Sequence, residues 1–284
     1  MKTNRRYLTM DEIMTLFGYA VEDFNYSFDY NFSPDNFIVQ GIDGGKNKEK
    51  IFEEFCRKYF SFRLRDNYKS EEYYCFLASA FPGKTPEDKQ GILVRTDVET
   101  DEREMYEVML HELAHIYCVH NELDGKNFYD EYCEDYAEDK ATDGQINAGY
   151  AVWREFIADM LAVECIDDMP GYYLREKKGI LKKLKSDINM QGEAKLYLSK
   201  LLFEVMTSVD ISSVDTWQKA KPLIVATKLF DTPMYMDLFK IVFGKVKNGS
   251  IKIDLDFIMQ LGFLYLEIVS FSDIAGMLRK LKQS

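Results

Sequence analysis

All three histidines of this 284-residue chain, His111, His115 and His120, fall within ten residues. Two of them bound the run His111-Glu112-Leu113-Ala114-His115, and that spacing constrains the fold more than any other feature. Positions i and i+4 share one face on an α-helix, so both imidazoles can reach a single metal ion there. Glu112 projects beside them. It is close enough to take a proton from a water that the metal activates, and too displaced to be an obvious ligand. The competing reading is a buried helix whose histidines are satisfied core groups. It gives no reason for the acid between them or for the lack of histidine elsewhere.

A catalytic zinc takes three protein ligands and keeps one position open. The third ligand must be a carboxylate or His120. His120 lies five residues beyond His115, which turns it to another side of the helix. A better source is Ala148–Ile166 (AGYAVWREFIADMLAVECI), a strongly helical stretch. Glu155 and Asp159 are four apart and share a face. Glu155 can ligate the metal, while Asp159 can accept the N–H of a ligating histidine and fix its tautomer. Read alone, the two acids could equally be solvated helix charges.

Around this constellation the first half of the chain reads as mixed α and β. Asp11–Phe17 and Lys48–Tyr59 have helical apolar spacing. Phe37–Ile42, Tyr73–Ala80 and Gly91–Thr96 are short β-branched or aromatic runs that suit strands. The last of these, GILVRT, is expected to offer an edge along which an extended peptide could add. Asp101 begins the histidine-bearing helix, with Glu104 three residues on in a capping-box pattern. The second half reads as helical, near Leu174–Ser186, Ala194–Ser208, Thr216–Leu229, Met236–Lys247 and Asp254–Ser270, with Pro222 arguing against one unbroken rod in the third.

Charge divides the chain at Pro170-Gly171: residues 1–170 carry 18 Lys+Arg against 36 Asp+Glu, and residues 171–284 carry 18 against 12. This predicts a domain over 1–170 and a helical domain of unknown role over 171–284. Within the first, Asn121–Gly149 holds nine acids and two lysines. A lid, a calcium site or a surface for basic substrates would use that charge, but a solvated insertion is favoured. The basic run Arg175–Lys185 is favoured as a solvated amphipathic face.

The formal net charge of −12 argues against nucleic acid as a partner, since such surfaces collect Lys and Arg. Five scattered cysteines (Cys56, Cys75, Cys118, Cys133, Cys165) with no CxxC pair argue against a zinc ribbon or a disulfide framework, and predict a reduced, cytoplasmic chain. Met1–Arg6 runs into Asp11 and Glu12, so no signal peptide is expected. Leu255–Val269 is interrupted by Asp256, Gln260 and Glu267, so neither a membrane span nor a membrane partner is expected.

His111-Glu112-xx-His115 followed by Glu155-xxx-Asp159 resembles the gluzincin zinc metallopeptidases, the thermolysin-like clan. The run ILVRTD…VMLHELAHIYCVH is also similar to the intracellular ImmA/IrrE-type peptidases, which cut regulatory proteins. Those typically carry Asn where Asp159 stands, so the acidic helix agrees better with the thermolysin pattern. The resemblance covers roughly residues 91–166. It implies an α+β fold with a zincin-like catalytic domain of a small sheet and two metal-bearing helices, and it says nothing of residues 171–284, which apolar spacing reads as a mainly helical C-terminal domain. It also implies one Zn2+ per chain held by His111, His115 and Glu155, with Glu112 as general base and Asp159 behind a ligand. The expected reaction is hydrolysis of a peptide or protein substrate. The alternative is a zincin-fold regulatory or binding module whose helical domain recognises a protein partner, and the intact Glu112 argues against it.

Overall fold

The computed structural model describes residues 5–45, 47–59, 74–124, 140–166, 232–247 and 253–267, with single residues at 69 and 218. The chain divides into two compact units. One comprises Met1–Asn121 and Leu161–Tyr172, the other Glu122–Met160 and Tyr173–Ser284. Pro170-Gly171 and, apart from residue 218, the first three helices expected of the second half lie outside the described residues, as does Arg175–Lys185.

The first unit is α+β. Helix α1 (Met10–Phe28) starts at a reciprocal cap in which Thr9 and Glu12 satisfy each other's backbone N–H groups. It runs eleven residues beyond the expected Phe17, because Ala20, Val21 and Phe24 continue its buried stripe. Strand β1 (Phe37–Ile42) and helix α2 (Lys48–Tyr59) fall at their expected bounds. Strands β2 (Ala78–Phe81) and β3 (Gln90–Arg95) complete a three-stranded sheet of order β1-β3-β2. β3 runs parallel to β1, with Phe37 opposite Gln90, and antiparallel to β2, with Ala78 opposite Val94.

Two expectations are corrected here. GILVRT is not an edge. β3 is the central strand, its backbone paired on both sides, and among the described residues β2 pairs on one side only. The strand expected over Tyr73–Ala80 begins only at Ala78. Just before it the Tyr74 carbonyl accepts from the Arg95 guanidinium, a side chain rather than a ladder partner.

Packing follows from strand alternation. Leu93 joins Ile42, Phe52, Phe55, Cys56 and Tyr74 in a cluster against α2. Ile92 and Val94 point to the opposite face and are equally buried. Helix α3 (Glu102–His120) packs on α1 and along β2. Asp101 caps α3, its Oδ1 accepting from Glu104 N at 2.9 Å, while the Glu104 carboxylate takes Thr100 Oγ1 at 2.9 Å and Arg5. At the far end of α3, Tyr117 meets Phe24 and Phe28 of α1 edge-on or tilted, with centroids 5.5 and 5.3 Å away.

The described part of the second unit is helical. Helix α4 (Lys140–Glu164) belongs to it as far as Met160. The acidic stretch Asn121–Gly149, expected as a solvated or disordered insertion between the two motif helices, is helix from Lys140 onward. Helices α5 (Thr232–Lys247) and α6 (residues 255–267) follow. Among the described residues no helix is long and apolar enough to cross a membrane.

Candidate metal centre

The helical spacing of α3 puts His111 and His115 one turn apart with ring centroids 4.5 Å from each other and planes at 89°. His115 is buried, His111 half-buried, and Glu112 between them is buried with 6% exposure. A carboxylate withdrawn from solvent to that degree is retained only where something inside answers its charge or its proton. Glu155, half-buried on α4, completes the group: one ligand atom each from His111, His115 and Glu155 lies within 4.8 Å of the other two.

That spacing suits an ion. Ligand atoms at about 2.0–2.1 Å from a tetrahedral zinc stand about 3.4 Å from one another. The donor separations, at most 4.8 Å, thus exceed that spacing by no more than about 1.4 Å. The donors also fit chemically. Two imidazole nitrogens and one carboxylate oxygen make the borderline set zinc takes, and three protein ligands leave a fourth position open.

Asp159 sits one turn beyond Glu155 on α4 and is buried at 2%. His120 is elsewhere. Five residues at about 100° each put it about 140° round α3 from His115. Its Nδ1 stands 3.0 Å from the Tyr30 hydroxyl, and its ring is tilted against Phe32 with centroids 6.1 Å apart. Burial lowers the His120 pKa below the usual histidine value, opposed by the Gly83 backbone and the carboxylates of Asp88 and Glu87.

Two residues near the cluster drew no attention in the sequence. Glu107, one turn before His111, is buried at 3% and takes Arg103 Nε at 2.9 Å. Its position four residues ahead of a candidate ligand was the available signal. Trp153, two residues before Glu155, is wholly buried and donates its indole N–H to the Leu123 carbonyl at 2.7 Å. A tryptophan beside a candidate ligand in a chain with only two could have marked it.

No family model, no curated protein and no solved structure matches this chain. The likeness to gluzincins thus rests on the motif and on the cluster of donors, without support from homology.

Proposed function

We propose that this chain is a zinc-dependent metallopeptidase of gluzincin type, and the observation that carries the proposal is the convergence of His111, His115 and Glu155 donor atoms within 4.8 Å. His111, His115 and Glu155 hold one zinc ion in this reading, and Asp159 accepts the outer N–H of a ligating histidine. Bound zinc supplies a Lewis acid for the scissile carbonyl and lowers the pKa of water at the open position to about 7. Glu112, adjacent in sequence to one ligand and shielded from bulk water, takes the proton of the attacking water and delivers it to the leaving amine. Its burial supports that role, since a base sheltered from solvent keeps the proton for the reaction.

The substrate is a peptide or protein. Among the described residues β1 and β2 each pair on one side only and β3 on both, so an extended chain would add along an outer strand, β1 or β2. Cytoplasmic residence belongs to the same reading. Cys56, Cys75, Cys118 and Cys165 are thiols rather than disulfides.

The test joins metal analysis to hydrolysis of a peptide library. The purified protein should hold about one zinc per chain. Glu112→Gln should keep that zinc and lose hydrolysis by at least about a hundredfold, the scale for removing a general base. Loss of zinc in Glu112→Gln would mean that base and ligand are misassigned. Wild-type protein that cannot be loaded with zinc would end the proposal.

A further inference from the structure

Helix α4, which carries Glu155, meets α6 at a point with no room for a side chain. A methyl group built on Gly149 would overlap the Ile258 carbonyl oxygen and lie 2.9 Å from Gly262 N. One built on Gly262 would overlap the Gln145 carbonyl oxygen and lie 3.0 Å from Gly149 N. Each glycine therefore receives the other helix's backbone, the closest approach two helices can make. Gly144, also on α4, and Gly244 on α5 face open space. The close contact is specific to one pair.

Two further links run along the same junction. Gln145 Nε2 donates to the Met259 carbonyl at 2.7 Å. The Trp153 ring stands edge-on to Phe257 with centroids 5.1 Å apart and planes at 90°. Gln145, Gly149 and Trp153 are spaced i, i+4, i+8, one continuous stripe of α4 about 12 Å long. Such a stripe, gripped at three levels, indexes both the rotation of α4 and its position along its axis. Glu155 lies six residues past Gly149, about 120° round the helix from the stripe. Any shift of α4 that relieves the Gly149–Gly262 contact is carried rigidly to the Glu155 carboxylate.

We infer that α6 sets the position of Glu155 for metal binding, with Gly149 and Gly262 as positioning residues. The inference rests on the metal-centre reading and extends it to α6, whose Gly262 lies 107 positions beyond Glu155. Its consequence is quantitative. A methyl at Gly262 would overlap the Gln145 carbonyl oxygen, so α4 must shift against α6 by about an ångström to reach van der Waals distance, and Glu155 shifts with it.

The experiment uses the full chain and two readouts: zinc affinity by competition with a chromophoric chelator, and the visible spectrum of the cobalt(II)-substituted protein. Gly262→Ala should lower zinc affinity at least about tenfold, as loss of an outer supporting contact does, and should change the cobalt bands. Gly144→Ala, on the same helix in open space, should leave both readouts at the wild-type level. In a Glu155→Ala background, Gly262→Ala should add less than about twofold, because the ligand it positions is gone. If Gly262→Ala folds poorly, Gln145→Ala removes one link without adding volume and should show a smaller, equally Glu155-dependent loss. Wild-type affinity in the folded glycine or glutamine variants overturns the inference, as does an equal loss with and without Glu155. Failure of the metal-centre reading shows itself separately, as absence of zinc binding in the wild type.

Discussion

Trp153→Phe is the sharpest probe of how α4 is held. The change keeps an aromatic ring on the helix and removes two things. The first is the indole N–H, which donates to the Leu123 carbonyl at 2.7 Å. Losing this part-buried hydrogen bond costs about 0.5–1.5 kcal/mol. The second is volume: roughly 40 Å3 of ring is lost at a fully buried position, and at about 24 cal/mol per Å3 of unrelaxed cavity that is about 1 kcal/mol. The edge-on contact with Phe257 weakens by a fraction of the 0.5–1.5 kcal/mol typical of such pairs, about half a kcal/mol. The sum is a destabilisation of about 2.5 kcal/mol. Urea unfolding followed by far-UV circular dichroism measures it, on metal-free protein so that zinc linkage does not mask the change. The transition that includes α4 should move to lower urea at unchanged slope. A loss below about 1 kcal/mol would refute the reasoning, because it would mean that the indole neither holds Leu123 nor fills its site.

Two other perturbations test the ends of α3. Asp101→Ala removes the acceptor of Glu104 N and should cost about 1 kcal/mol in urea unfolding, whereas Asp101→Asn retains the cap and should cost a fraction of that. His120 has a pKa lowered by burial, with Tyr30, Asp88 and Glu87 the polar groups facing it. The unfolded chain therefore binds its proton first as pH falls. Stability should decline as pH drops from the unfolded histidine value of about 6.5 toward the lower folded value, and His120→Gln should flatten that part of the stability curve. A slope unchanged by His120→Gln would show that the imidazole titrates as if in water.

What the sequence made legible was what local periodicity encodes. α2 is bounded to the residue by its apolar spacing and β1 by its β-branched, aromatic run. The histidine helix was marked by its cap and by i, i+4 ligands. The rest depended on pairings that no local window contains. The central place of β3 is an instance: Gly91-Ile92-Leu93-Val94 is apolar without alternation, the pattern of a strand buried on both faces. That pattern fits a strand flanked by neighbours better than an exposed edge. α1 runs on past the expected Phe17 through Gly18, which faces open space in a helix held by its buried face.

The candidate metal centre divides along the same line. His111 and His115 are placed by one turn of one helix, so any sequence that makes α3 helical brings their donors together. Glu155 is 40 residues from His115, and nothing local places it. Its carboxylate must be aimed by the seat of α4, and the tightest part of that seat described here is the contact of Gly149 with Gly262, residues 113 positions apart. A pair of glycines at that separation carries no signal in a single sequence, and each would pass for an indifferent weak point in a helix. The physical reason for their presence appears only in the contact, where a methyl group has nowhere to go. Precision at a metal centre is thus inexpensive for ligands on one helix and demanding for the ligand that comes from another, and the long-range glycine contact is where this chain meets that demand.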